Sequence, residues 1–222
     1  MNGTDGADGT VLAVCVLHTE RDSGTRRVTR TAIDKRPADN AVRVMSAGLV
    51  GDYVCDTKYH GGTFKAVYAY QQDEAERWAA ELGRELAPGW FGENLRVDGI
   101  AASDAVIGER WRIGTTELEV SSPRTPCATF GVWAAEPHWV RRFSDRADTG
   151  AYLRVVTEGS IAAGDRVHRV HVPGHGITAR DVFTGHDPER VLAVLTRQPN
   201  IAPTVIELAQ KQLAGLRGQV RR

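Results

Sequence analysis

The sequence predicts a mainly β fold, a barrel or sandwich, followed by a small α-helical region at its C-terminal end. Before residue 172, short segments rich in β-branched and aromatic residues are separated by glycine-containing turns. Many short strands with few helices are typical of barrels and sandwiches. After residue 175, apolar residues instead recur every three or four positions, which indicates helices.

The predicted strands are short runs of β-forming residues that end at turn or breaker residues. Pro37 ends the second strand, and Gly164-Asp165 forms one of the turns between the last two. In chain order the predicted strands span residues 11–17, 27–33, 41–44, 48–55, 65–70, 94–97, 111–113, 117–120, 151–156 and 166–172.

The predicted helices fall into two groups. In the first half, a helix is predicted over residues 73–86, because its apolar residues share one face and Pro88-Gly89 stops it. A short helix is also predicted over residues 139–143. Near the C-terminal end, Thr178 and Asp187 suit N-caps and Pro188 suits a first helical position. The three helices predicted there span residues 178–184, 188–196 and 202–216.

The predicted organisation has three parts: a disordered tail over residues 1–10, a β domain over residues 11–172 and a three-helix subdomain over residues 175–222. The tail is rich in Gly, Asp and Thr and lacks the features of a signal peptide. No apolar run approaches the ~20 residues that span a bilayer. We therefore expect a cytoplasmic protein that has no membrane partner.

Charge and cysteine content narrow the function classes. The chain carries 28 Lys and Arg against 28 Asp and Glu, and zero net charge argues against a general nucleic-acid binder. Its three cysteines, Cys15, Cys55 and Cys127, are far apart in the sequence. Their spacing argues against a zinc site, a thioredoxin-like motif or an iron–sulfur cluster, and their small, odd number fits a reducing compartment.

Three segments combine residues that could bind a ligand or take part in a reaction. In the first, His60 and Lys65 flank the pair Gly61-Gly62. Paired glycines let the backbone approach a ligand and expose its N–H groups to an anion. Taken alone, the pattern is equally typical of a β-turn with charges on its surface.

The second segment is a Gly-Glu-Asn turn that leads into a predicted strand. It offers the carboxylate of Glu93 and the amide of Asn94 at the beginning of that strand. Asn94 could bind a heterocycle or fix a loop, and such residues beside glycine are commonly turn formers.

The third segment is the run from Ser122 to Cys127. Pro123 and Pro126 restrict the backbone, so we predict a stiffened loop that presents Cys127 in a defined direction beside Arg124. A nearby cation favours the thiolate, and a guanidinium binds phosphate or carboxylate. By itself, the segment leaves Cys127 open as a metal ligand, a nucleophile or a buried inert thiol.

Together and in this order, the three segments resemble the MOSC domain, named for its occurrence at the C-terminus of molybdenum cofactor sulfurases. The resemblance rests on H-G-G with K-A-V-Y-A-Y, on F-G-E-N-L-R-V, and on G-E-R-W-R-I-G with L-E-V-S-S-P-R-T-P-C. Within the family, the chain most resembles the YiiM-like branch, whose members carry a C-terminal three-helix extension. The resemblance covers residues 11–216.

The resemblance implies a MOSC-type β-barrel that binds the molybdenum cofactor, a pterin dithiolene with a phosphate. Cys127 matches the family's cysteine, which implies that it is the metal ligand and the catalytic residue. The residues implied to contact the rest of the cofactor are His60, Gly61, Gly62, Lys65, Asn94, Arg124 and Thr125. One departure is Phe64, which stands where the family commonly has an acidic residue.

The implied function is the reduction of N-hydroxylated bases such as 6-N-hydroxylaminopurine. The chain has neither a dinucleotide-binding fingerprint nor an iron–sulfur ligand set. We therefore expect a separate flavin or iron–sulfur protein to supply electrons, and we also expect a homodimer. Two alternatives remain open: a sulfur carrier that uses a Cys127 persulfide, and a binding module without activity.

Overall fold

The computed structural model describes residues 8–26, 28–57 and 60–220, with side chains as far as residue 216. Most of the β-rich part forms one sheet that curves and closes on itself. The strands, numbered β1 to β11, are Gly9–Asp22, Arg30–Pro37, Val42–Met45, Gly48–Leu49, Val67–Gln71, Leu95–Asp98, Arg110–Ile113, Thr116–Pro123, Ala151–Thr157, Gly159–Ile161 and Arg166–His171.

Seven of the described strands close into a barrel. They follow the order β11, β7, β8, β9, β5, β6, β1, and the pairing of β1 with β11 closes the ring. The β5–β6 pair is parallel and the other neighbours are antiparallel. Strand β2 extends the sheet beyond the barrel along β1, while β3, β4 and β10 form a small separate sheet. The predicted β-barrel is therefore confirmed.

The helices lie outside the barrel and largely follow the predicted pattern. Thr178 caps its helix through a capping box, and the Asp187 carboxylate accepts from the backbone of Arg190. The helices, numbered α1 to α6, are Gln72–Leu82, Ala128–Ala134, Trp139–Arg146, Ala179–Thr184, Pro188–Leu195 and Pro203–Val220. Among the described residues, no helix combines the length and the apolar character needed to cross a membrane.

Several predicted boundaries were wrong for identifiable reasons. The first helix ends at Leu82, because Gly83 adopts a left-handed conformation and caps it before Pro88 is reached. The predicted strand at residues 48–55 is reduced to β4, since the chain turns at Gly51. Lys65 belongs to a 3-10 turn, Thr63–Lys65, and not to the strand that follows. Helix α2 was not predicted.

The tail and the cysteine loop also need correction. Strand β1 begins at Gly9, so Gly9 and Thr10 pair with β11 and are not disordered, whereas residues 1–7 lie outside the described residues. Strand β8 continues to Pro123, which pairs with Ala151. Proline cannot donate to the ladder, and here it ends the strand directly after a register shift between Val120 and Ser122. The loop before Cys127 is therefore shorter than predicted.

Candidate active site

A cavity of about 450 Å³ opens beside β5 and the beginning of α2. It is lined by residues of β2, of the segment between β4 and β5, and of the connection between β8 and α2. Seven of the predicted site residues meet there: His60, Gly61, Gly62, Lys65, Asn94, Arg124 and Cys127.

Thr125 is the predicted site residue that does not line this cavity. Its side chain is exposed, whereas Arg124 beside it is buried. Successive side chains of an extended segment point to opposite sides, so placing Arg124 in the cavity turns Thr125 away from it. The structure gives no support for a cofactor contact by Thr125.

Cys127 is held at the N-cap of α2 in an extended conformation. Burial raises the pKa of its thiol, but a hydrogen bond from His60, the charge of Arg124 and the backbone N–H of Phe130 outweigh that effect and lower the pKa to about 7. The pKa of an ordinary cysteine thiol is 9.0. The surroundings of Cys127 therefore favour the thiolate, which is the form that binds metals and attacks electrophiles.

Arg124 places a positive charge in the cavity wall. Its side chain is only 4% exposed, and its Cζ lies 3.8 Å from the centre of the Phe130 ring. Burial alone would lower the pKa of Arg124, but Tyr68, Tyr152 and Cys127 raise it. The Nη1 group has no hydrogen-bond partner among the residues that the structure describes. A buried guanidinium with an unused donor is suited to an anionic ligand.

The paired glycines form a turn beside the thiol. Gly61 and Gly62 have φ values of 73° and 79°, which glycine adopts without strain. A Cβ atom on Gly61 would come within 2.5 Å of a methyl group of Val54, whereas one on Gly62 would meet only open space. Gly62 is therefore the position at which a ligand can approach the backbone closely.

Lys65 and Phe64 follow this turn, and the structure separates their roles. Burial lowers the pKa of Lys65, and the opposite effect of Glu207 on α6 is smaller. Lys65 Nζ lies 5.8 Å from the centre of the Tyr152 ring. Phe64 is not among the lining residues, and its partly buried ring packs against the hydrophobic core. Phe64, which replaces the acidic residue common in the family, therefore adds apolar packing outside the cavity.

Asn94 and Glu93 are anchored within the protein. The Asn94 side chain accepts from the backbone of Tyr68 at 3.0 Å and donates to Cys15 O at 3.2 Å and to Asp52 Oδ2 at 2.7 Å. Glu93 accepts from backbone N–H groups of its turn and pairs with buried Arg96. Asn94 thus fixes the cavity wall through these contacts, and a direct contact with a cofactor stays a prediction.

The lining residues that were not predicted include Lys35, Asp52, Tyr68 and Tyr152. Tyr68 and Tyr152 pair across β5 and β9, so the alternation of side chains in K-A-V-Y-A-Y could have indicated Tyr68. Lys35 and Asp52 carried no signal in the sequence, because their pairing depends on the fold.

A metal in this cavity could not rely on the protein for most of its ligands. No group of three or more His, Cys, Asp or Glu side chains in residues 8–26, 28–57 and 60–216 is arranged to hold a metal ion. The donor set fits a metal that arrives with its own ligands and takes one soft thiolate from the protein.

Comparison with known families assigns this fold and site to one class of protein. Residues 56–168 match the model of the MOSC domain. The matched segment is more than half of the 222 residues and contains the glycine turn, Asn94 and Cys127. The chain belongs to the MOSC family.

Three curated relatives support this assignment. The uncharacterized protein YflK of Bacillus subtilis (strain 168) is 31% identical over 166 residues, 74% of this chain and 75% of YflK. Protein YiiM of Escherichia coli (strain K12) is 36% identical over 137 residues, 60% of this chain and 61% of YiiM. A reductase of Gibberella moniliformis (strain M3125 / FGSC 7600) is 31% identical over 147 residues, 64% of this chain but 26% of the reductase.

A solved structure shares the whole architecture. The crystal structure of YiiM from Geobacillus stearothermophilus matches with a TM-score of 0.74 over 92% of this chain and 99% of that chain, at 23% sequence identity. At this identity the likeness concerns the fold alone. The chain is thus a MOSC-family protein similar to the YiiM proteins.

Proposed function

We propose that the protein binds a molybdenum cofactor in this cavity and reduces N-hydroxylated small molecules such as 6-N-hydroxylaminopurine. The observation that carries the proposal is the pairing of Cys127, whose pKa is lowered to about 7, with the buried guanidinium of Arg124 in a cavity of a MOSC-family protein. One relative, from Gibberella moniliformis, bears the name reductase.

The residues of the cavity fit the cofactor. Cys127 would be the single protein ligand of the metal, because thiolates are soft ligands. Arg124 and Lys65 would balance the negative phosphate, and the backbone at Gly62 leaves room for a close approach. When bound, the cofactor supplies the two-electron chemistry by which an N-hydroxyl compound and two protons become an amine and water.

The residues around the thiol have supporting roles in this proposal. His60 donates a hydrogen bond to Cys127 and, together with Arg124, keeps the sulfur ionised and available as a ligand. Arg124 is packed beside the buried rings of Tyr68 and Phe130, whose centres lie 5.4 and 3.8 Å from its Cζ. A separate flavin or iron–sulfur protein of the cytoplasm would supply the electrons.

The lowered pKa of Cys127 also supports a second candidate function. A thiolate accepts sulfur from a persulfide donor, and the donor leaves as its own thiolate. In this case Cys127 would carry a persulfide, and the protein would hand sulfur on without reductive turnover.

Molybdenum content tests the proposal. The protein is produced in a host that makes the cofactor, and metal per chain is measured by mass spectrometry. We expect stoichiometric molybdenum in the wild type and its loss in Cys127→Ala and Arg124→Met. Arg146→Met is the matched control, because Arg146 also lies 3.8 Å from an aromatic ring centre, that of Trp78, but outside the cavity.

The same preparations distinguish the candidates. Wild-type protein without molybdenum but with a thiol-labile sulfur on Cys127 would favour the sulfur carrier. Molybdenum-loaded protein that turns over 6-N-hydroxylaminopurine with NADPH alone would contradict the separate electron donor. Thermal unfolding of each variant confirms that a loss of metal is not a loss of fold.

A further inference from the structure

A buried ion pair forms part of the cavity wall. Lys35 on β2 pairs with Asp52, whose position follows β4, and both residues line the cavity that holds Cys127. Their side chains are 7% and 8% exposed. Desolvation makes a buried ion pair a poor source of stability, so its place in the wall points towards recognition of a ligand.

Among the described residues, only one of the two Asp52 carboxylate oxygens has hydrogen-bond donors. Its Oδ2 atom accepts from Lys35 Nζ and from Asn94 Nδ2. The Oδ1 atom is buried, and within the described part of the chain nothing donates a hydrogen bond to it. A buried carboxylate oxygen without a donor is unfavourable, so a ligand that supplies a donor here would be favoured.

The orientation of this carboxylate is fixed by Asn94 and by a backbone hydrogen bond of Asp52 itself. Asn94, which holds Oδ2, is itself bound to the backbone of Cys15 and of Tyr68. The Asp52 backbone N–H donates to Leu49 O at 3.1 Å. An acceptor fixed in this way selects a ligand by the position of its donor.

The surrounding charges indicate which kind of donor fits. Lys35 neutralises Asp52, so the pair has no net charge that would attract a cation. Of the other charged lining residues, Arg30, Lys65 and Arg124 are basic and Asp56 is acidic, so basic groups outnumber acidic ones. A cationic ligand would be repelled, whereas a neutral N–H group would complete the hydrogen bonds of Asp52 without adding charge.

We propose that Asp52 is a specificity residue that accepts a hydrogen bond from an N–H or amino group of a neutral fused nitrogen heterocycle. The inference rests on the proposed function. Two sources share this chemistry: the pterin of the cofactor and a purine-type substrate. Lys35 and Asn94 act as positioning residues for the carboxylate.

The first part of the test uses cofactor-free protein and two probes. Adenine offers N–H donors, and 6-dimethylamino-9-methylpurine offers none. If Asp52 receives the base, wild-type protein should bind adenine more tightly by about tenfold, the usual effect of one hydrogen bond to a charged group. Asp52→Asn should reduce that preference. Asp34→Asn, which changes a buried ion-paired acid of the same strand as Lys35 but outside the cavity, should keep it.

The second part measures molybdenum and pterin in protein from a cofactor-producing host. If Asp52 receives the pterin, Asp52→Asn should lose both by about tenfold while Asp34→Asn retains them. If Asp52→Asn fails to fold, Lys35→Met with Asp52→Leu replaces the pair by apolar side chains and leaves no buried charge unpaired.

The outcomes separate the inference from the proposed function. Loss of the adenine preference, or of the pterin, in either folded Asp52 variant supports the inference and identifies the source. Unchanged adenine preference together with unchanged pterin content would overturn it. Wild-type protein without molybdenum would refute the proposed function, while the adenine measurements on cofactor-free protein would still decide the role of Asp52.

Discussion

At the scale of single residues, the three cysteines occupy three different environments. Burial raises the pKa of Cys15 to about 12, and burial raises that of Cys55 as well. Cys127 differs because His60 and Arg124 lower its pKa despite its burial. The low pKa of the Cys127 thiol is therefore due to the hydrogen bond from His60 and the charge of Arg124, and not to solvent exposure.

This difference predicts a pH profile for alkylation of the cofactor-free protein. The reaction of Cys127 with iodoacetamide should increase with a midpoint near pH 7, and Cys55 in the same sample should react only at more alkaline pH. His60→Ala should move the Cys127 midpoint towards 9.0, because alanine cannot donate the hydrogen bond. Peptide mass spectrometry measures each site.

The same pKa has a consequence for stability. The folded value of Cys127, about 7, lies below the ordinary value of 9.0. The thiolate therefore stabilises the fold fully above pH 9, and this contribution is lost as the pH falls through 7. An alkylation midpoint near 9 in the wild type would contradict both statements.

At the scale of elements, Arg180 joins α4 to α1 and to the segments that precede β7 and β9. Its guanidinium pairs with Glu74, Asp104 and Asp148 and donates to the carbonyl of Ala147. Burial raises the pKa of Glu74 to about 7, although the Ser103 hydroxyl favours the ionised form, and Asp148 repels that form. Burial thus makes the ionisation of Glu74 unfavourable.

Glu74→Gln should change how stability depends on pH. The folded pKa of Glu74 lies above the ordinary value of 4.5, so wild-type stability should fall as the pH rises from 4.5 to 7, by on the order of 3 kcal/mol at most. The variant should lack this decrease and be more stable than wild type above pH 7. Urea unfolding at a series of pH values measures the effect.

The control for this experiment lies on the same helix. Glu76 on α1 is exposed and outside the Arg180 network, so Glu76→Gln should keep the pH dependence of the wild type. Parallel stability curves for wild type and Glu74→Gln would show that Glu74 is not the titrating group.

At the scale of the whole molecule, the barrel and the C-terminal helices share one core. Val11 and Trp111 of the barrel belong to the same buried cluster as residues of the helical region. The helical members are Ile177, Ala179, Val182, Val191, Leu195, Ala202, Val205 and Ala209. The bounds of two separate units stay a prediction, but the packing joins them energetically.

The shared core predicts a single unfolding transition. Every tryptophan precedes residue 172, so fluorescence reports on the part of the chain before the C-terminal helices, while far-UV circular dichroism also includes helices α4 to α6. The two signals should coincide in urea. Leu195→Ala should lower both midpoints equally, by about 2–5 kcal/mol of stability, whereas Leu216→Ala at a side chain that is 48% exposed should change neither. Separate transitions would contradict the shared core.

How much could be predicted from the sequence depends on the range of the interactions. Local signals placed the glycine turn, the caps at Thr178 and Asp187 and most strands. The continuation of β8 to Pro123 depends on its partner Ala151, and Arg124 is buried because distant rings surround it. The Lys35–Asp52 pair joins two segments that meet only in the folded chain.

The closure of the barrel constrains the order in which the chain can fold. Gly9 pairs with Val167 and Thr10 with Arg166, so β1 needs a partner that lies far along the chain and is synthesised much later. Until β11 emerges from the ribosome, that edge of β1 has unpaired backbone groups, which favour association with other chains. Such contacts between distant parts of a sequence also slow folding. During synthesis, this edge of β1 is therefore open to such association until β11 has been made.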